Sequence, residues 1–163
     1  MKKLIIITAL LSAFLTSCST EEENINTENY SIENIEIEYS TLDIEIVQLL
    51  NDYRLSQGLN PLNILNVASK EANNHSLYMA NQGEPSHDFF YLRSQNLQTA
   101  VNAKDVSENV AYGYTNAQSL VNAWINSEGH RNNIVNPLFT EIGIATKQDK
   151  NGKNYYTNIF VKL

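Results

Sequence analysis

Apolar positions along the chain keep a helical period first and an alternating one last. Between about Ser40 and Gln57, Ile46, Leu49, Leu50 and Tyr53 form one stripe, and Gly58 follows as a stop, which predicts a first helix. Leu65, Ala68, Ala72 and Met79 repeat the pattern for a second helix over Asn66 to Asn81, with Gly83 beyond it. A shorter helix is predicted over Phe89 to Leu97, and "SENVAYG", Ser107 to Gly113, reads as a short strand or extended segment. A fourth helix opens at Thr115, with Gln118 three residues on as a capping-box partner and Ala117, Leu120, Val121 and Trp124 as its stripe. The final segments "FTEIGIATKQ" and "NYYTNIFVKL" alternate, and Asn151-Gly152 between them predicts a hairpin with a two-residue type I′ turn. Helices followed by a small antiparallel sheet place the chain in the α+β class.

The first residues break this pattern. "MKKLIIITALLSAFLTSCS" has two lysines and then a mostly apolar run from Leu4 to Leu15. A membrane-spanning helix needs about 20 apolar residues, so the run is too short and fits a secretory signal peptide over residues 1–17. Leu15-Thr16-Ser17-Cys18 resembles the lipobox of bacterial lipoprotein precursors, which implies cleavage before Cys18 and its acylation. Cys18 is the only cysteine among 163 residues, so a lipidated chain has no disulfide, no thiolate ligand and no cysteine nucleophile. The expected location is extracytoplasmic, anchored to a bacterial membrane, most naturally the outer one.

Charge divides the remainder. The formal charge is -7, yet nine of the 18 acidic residues lie between Cys18 and Glu45, where no lysine or arginine occurs. From Ile46 onward nine acidic and nine basic residues balance. The acidity therefore belongs to a tether, taken as residues 18–40, that repels itself and stays extended. Glu21-Glu22-Glu23 in it also resembles the export signal of surface lipoproteins in some Gram-negative bacteria. Residues 41–163 form one domain of ordinary size, and 42% hydrophobic content supports a packed core. Its neutrality, without a basic stripe, argues against nucleic acid. A monomer is expected.

Only three histidines are present, His75, His87 and His130. His75 falls on or beside the stripe of the second helix, four residues after Glu71, and reads as a core or cavity-edge histidine with a satisfied hydrogen bond. His87 lies in the loop "GEPSHDFF", Glu108 in "SENVAYG", and His130 follows Gly129 just past the fourth helix, where it suits a C-cap. None of them is informative alone.

Their order is. A histidine loop, "ENVAYG", "AWINSEGHRNNIVNPLFTEIGIA" and a tyrosine-rich last strand together resemble the CAP superfamily of cysteine-rich secretory proteins, antigen 5 and pathogenesis-related 1 proteins, in its bacterial branch. The resemblance covers about Leu42 to Leu163. It implies a three-layer αβα sandwich around a cavity lined by histidines and acidic groups. Carried over, His87 and His130 match the two cavity histidines and Glu108 the glutamate of a Gly-Glu-Asn motif, with Ser107 here in the place of the glycine. A fourth group is open between Ser127, where many members carry glutamate, and Glu128 one residue later. Arg131 reads as a loop-fixing residue.

Two functions follow from the resemblance. One is a binding module for lipid, envelope glycan or protein. The other is an extracellular, protease-like hydrolase in which His87 and His130 hold a divalent ion such as Zn²⁺ and Glu108 activates water. Ser127, Glu128 and Glu108 are its candidate catalytic residues, and a metal-free variant pairs Ser127 with His130.

Overall fold

A computed structural model describes residues 36–163. The signal-peptide and Cys18 readings, and most of the tether, lie outside the described residues.

The first helix, α1, spans Thr41–Ser56. Ser40 caps it, its hydroxyl accepting from the Asp43 N–H at 3.1 Å while the Asp43 carboxylate accepts from the Ser40 N–H at 3.0 Å. The second Asp43 oxygen accepts from Thr146 Oγ1 at 2.7 Å and stitches the helix start to the sheet. Ile46, Val47 and Leu50 face the core, as their spacing requires. Next come the two-residue strand β1, Asn63–Ile64, and helix α2, Asn66–Gln82, ended by Gly83 in the left-handed conformation. Helix α3 spans Phe90–Val101 and strand β2 Asp105–Tyr112. Helix α4, Ala117–Asn126, and helix α5, Glu128–Ile134, precede the closing strands β3, Glu141–Gln148, and β4, Asn154–Lys162.

The strands order as β1-β3-β4-β2, with β2 antiparallel to β4 and β3 antiparallel to β4. On one face, Tyr156, Phe160, Ile142 and Ile144 pack against α1 and α4. On the other, Ile159, Val161 and Ala145 meet α2 and α3. This alternation along β4, with helices on both sides, makes the expected αβα sandwich.

α2 sits directly on the sheet. A Cβ at Gly143 would overlap the Ala68 carbonyl carbon and lie 2.6 Å from its oxygen, so only glycine permits this approach. The contact is locked by Ser69 Oγ, which accepts from the Ile144 N–H at 3.2 Å, and by Ser76 Oγ, which donates to Ala145 O at 2.9 Å.

Several sequence expectations need correction. β1 pairs parallel with β3, so the sheet is mixed rather than purely antiparallel. α4 is capped by Asn116, whose Oδ1 accepts from the Ser119 N–H at 2.8 Å. Gln118 instead pairs with Asn122, and no capping box forms at Thr115. The β3–β4 connection is not a two-residue type I′ turn. Asp149 and Lys153 close it, Gly152 donates back to Asp149 O at 3.0 Å, and the Asp149 side chain accepts from the Asn151 and Lys153 N–H groups. Three residues with glycine in the left-handed position suit that arrangement. Finally, His130 does not cap α4. The chain turns at Ser127 and His130 lies inside α5.

Candidate functional site

Three segments meet at the outer edge of β2: the loop between α2 and α3, β2 itself, and the α4–α5 corner. α2 places His75 in the core, where its Nε2 lies 2.7 Å from Ser86 O and so ties the loop down. Its ring stacks on Tyr78, which meets Phe89 edge-on at 5.6 Å between centroids. Phe89 has φ of 58°, a left-handed conformation that is costly for an aromatic residue. That kink starts α3 immediately after His87, with the Phe90 N–H donating to His87 O at 3.1 Å.

α3 contributes Arg93, which is almost completely buried. Its Nε and Nη2 donate to the two oxygens of Glu108, each at 2.8 Å, and Nη1 donates to Asp88 O at 2.7 Å. The bidentate fork is the strong form of such a pair. Glu108 points from β2 toward α3 and also receives His87 Nδ1 at 2.9 Å. His75 Nε2 is 3.9 Å away from the same oxygen. Burial alone pushes the Glu108 carboxyl up, but the hydrogen bonds from His87 and Arg93 and the Arg93 charge outweigh it and hold it below the usual carboxylate value.

On the opposite wall, His130 Nδ1 lies 2.9 Å from Ser127 Oγ, and its ring tilts against Trp124. Burial, and then the nearby His87, hold His130 below the ordinary histidine value. Burial does the same to His75, against the opposing pull of Glu108. α5 is fastened to β2 by Asn109, which donates to His130 O at 3.1 Å, and by Asn133, which donates to Asn109 Oδ1 at 2.8 Å. Arg131 donates to Ile125 O at 2.8 Å and closes the α4–α5 corner.

Between these walls lies a cavity of about 430 Å³. Ser86, His87, Ser127 and His130 supply polar groups to its lining, and Pro85, Val110, Tyr112 and Trp124 much of its apolar surface. Two of the residues singled out in the sequence do not line it. Glu128 is an exposed residue opening α5, and Ser127, at the corner before it, lines the cavity where Glu128 does not. Glu108 sits behind His87, neutralised by Arg93, and is committed to those partners.

This bears on chemistry. A catalytic zinc draws on three protein ligands. The cavity lining offers two imidazoles, and no group of three or more His, Cys, Asp and Glu among the described residues is disposed to hold a metal ion. The residues therefore do not complete such a set by themselves. Ser127 and His130 make a nucleophile–base contact, but His130 Nε2 has no carboxylate orienting it among the described residues.

Arg93 is the functional residue that sequence reading missed. Its signal was its position four and seven residues before Leu97 and Ala100, which puts it on the buried face of α3. A charged residue on a core face needs a partner, and Glu108 is that partner.

Comparisons with known proteins bear on the family and the fold. The chain is 37% identical over 113 residues to the uncharacterized protein YkwD of Bacillus subtilis, covering 65% of this chain and 42% of that one. It is 29% identical over 126 residues to the uncharacterized membrane protein YlbC of the same organism, covering 76% and 35%. It thus spans about two-fifths or less of the length of these relatives. Among solved structures, an outer surface protein from Borrelia burgdorferi superposes with a TM-score of 0.68 at 21% identity, covering 77% of this chain and 96% of that one. A cysteine-rich secretory protein from Staphylococcus aureus gives 0.64 at 28%, covering 75% and 38%. An extracellular protein containing an SCP domain from Bacillus anthracis gives 0.62 at 28%, covering 74% and 40%. The model of the cysteine-rich secretory protein (CAP) family matches residues 47–161, and the chain belongs to that family.

Proposed function

We propose that this protein is an extracytoplasmic recognition module that binds its ligand in the cavity between His87 and His130 without transforming it. The carrying observation is the state of Glu108. A general base must come within hydrogen-bond reach of the proton it takes, and Glu108 does not line the cavity. Both Glu108 oxygens are held by Arg93, one also by His87, and the side chain is 1% exposed. What faces the cavity is instead a largely apolar wall with a few polar groups, the usual make-up of a ligand pocket.

The anchoring reading belongs to the same proposal. Leu15-Thr16-Ser17-Cys18 and the acidic run after it support a lipid-tethered protein held off a bacterial membrane, in keeping with the extracellular relative from Bacillus anthracis. Metabolic labelling with palmitate should mark the chain and fail to mark Cys18→Ala; equal labelling would sink the anchor.

For the cavity, the full chain is titrated with lipid vesicles, envelope glycan fragments and peptides, beside the double variant His87→Ala/His130→Ala. One class should bind, at least tenfold more weakly to the double variant. Substrate turnover that disappears in Ser127→Ala or Glu108→Gln would overturn the reading in favour of a hydrolase. Zinc uptake by the wild type that the double variant lacks would show that the ligand or solvent completes a metal set there.

A further inference from the structure

β2 is the outer strand of the sheet. In an antiparallel pair, alternate residues turn both backbone groups to the partner strand and the others turn theirs away. Gly113 N–H donates to Asn154 O, and the register pairs Ala111 with Tyr156 and Asn109 with Asn158, which sets the phase. Glu108, Val110 and Tyr112 therefore direct their N–H and C=O groups outward. Two of those carbonyls are already used. Glu108 O accepts from Asn133 Nδ2 at 3.3 Å, and Val110 O from Trp124 Nε1 at 3.2 Å. The outward N–H groups of Val110 and Tyr112, and the Tyr112 carbonyl, have no hydrogen-bond partner among the described residues. Both residues line the cavity.

The edge is thus graded. At Tyr112 it offers a donor and an acceptor, as an unpaired strand does. At Val110, about 6.8 Å further on at the antiparallel rise of about 3.4 Å per residue, it offers chiefly a donor. From Val110 on, the outward carbonyls are taken, Val110 O by Trp124 and Glu108 O by Asn133 of α5. An extended chain running antiparallel to β2 pairs fully at Tyr112 and then must end, on a group that only accepts. A C-terminal carboxylate is such a group. One oxygen takes the Val110 N–H. Ser127 and the two histidines are among the side chains in the cavity that can donate to the other, with the hydroxyls of Ser86 and Tyr114, and no carboxylate lines the cavity to repel it. Pro85, Ala111 and Ala123 make an apolar part of the lining, which suits an apolar last residue.

We propose that the cavity captures the C-terminal end of an extended segment of a partner protein, added as a short strand to the Tyr112 edge of β2. This deepens the recognition reading and rests on it. The probes are hexapeptides ending in Leu, Val or Phe, each made with a free carboxylate and as the C-terminal amide, titrated into the full chain with backbone amide NMR as the readout. The free acid should bind at least tenfold more tightly than the amide, shifting the Val110 and Tyr112 amide signals and slowing their hydrogen exchange. Tyr112→Pro removes an outward donor while keeping the ladder to β4, a position where edge strands tolerate proline. It should weaken binding at least tenfold relative to Tyr112→Ala, which removes the same ring from the cavity wall but keeps the N–H. Equal binding of acid and amide, or unmoved Val110 and Tyr112 signals, overturns the proposal. So does wild-type affinity in Tyr112→Pro. Should Tyr112→Pro lower the Tm, the acid-to-amide ratio and the amide shifts decide. If a glycan fragment or a fatty-acid vesicle moves these amides and no peptide does, the peptide proposal falls while the recognition reading stands. If no probe moves them, both fall.

Discussion

Two buried arginines hold the two ends of this molecule, and they do it differently. Arg54 is 1% exposed and meets only carbonyls: Nε donates to Asn60 O at 2.9 Å, Nη1 to Ile134 O at 2.7 Å and Asn136 O at 3.0 Å, and Nη2 to Phe139 O at 3.3 Å. It gathers the end of α1, the turn before β1 and the segment after α5 into one corner. Arg93 is 5% exposed and meets a carboxylate. A cation on carbonyl dipoles is a fixed strut whose strength does not vary across the ordinary pH range. A cation on a carboxylate holds a group that can be discharged. The cavity is built around the second kind, so its wall is sensitive to pH where the opposite corner is not.

The largest expected effect breaks the Arg93 side. Arg93→Met leaves Glu108 charged, buried and short of its main partner, which should destabilise by about 3–5 kcal/mol at pH 7. Adding Glu108→Gln should recover a good part of that, because the stranded charge is gone. Urea unfolding of the single and double variants checks it, and a double variant no more stable than the single one would refute the pairing account.

Arg54→Met comes next, at about 2–4 kcal/mol, since four carbonyls lose a donor and each keeps only what water can reach. No single second change should rescue it, and its Tm should follow the wild-type pH curve.

The third test is the pH curve itself. Glu108 has a lowered folded value, so its contribution is complete above the unfolded carboxyl value of about 4.3 and fades as pH falls through the lower, folded one. His75 and His130 also have lowered values. The unfolded chain takes up their protons first, from about pH 6.5 downward, and this too removes stability as pH falls. Tm should therefore decline in two stages between about pH 7 and 3. Glu108→Gln should lose the lower stage and keep the upper, and an unchanged lower stage would count against Glu108 as its source.

The smallest effect concerns Ser107, whose buried hydroxyl has no hydrogen-bond partner among the described residues. Ser107→Ala should be neutral or stabilise by up to about 1 kcal/mol. A clear loss would show that this hydroxyl is satisfied in solution.

How much of this was legible in the sequence depends on the length of each signal. α1 and α2 were readable because 16 and 17 residues give several turns of apolar spacing and a glycine ends the pattern. α5 was not, because seven residues beginning Glu-Gly-His carry one buried apolar residue, Ile134, and a glycine before a histidine imitates a helix end. β1 is two residues long and exists only because β3 lies beside it. In the site, His87, Glu108 and His130 stood out through the resemblance of whole motifs to the family, and the structure sets His87 and His130 on opposite walls of one cavity with Glu108 behind His87. That Glu108 lies behind His87 and that Glu128 faces outward depend on strand phase and on a corner at Ser127, which no local pattern encodes.

Gly143 has a consequence for the cavity although it touches none of it. The α2 backbone rests on the sheet there, and the same helix carries His75 two turns further on, which holds Ser86 and hence the loop bearing His87. A single added methyl at Gly143 would lift the helix and carry that chain of contacts with it. The alignment of the two histidine walls is thus set from beneath, by a residue with no side chain, and the cavity can be detuned without altering any atom that a ligand meets.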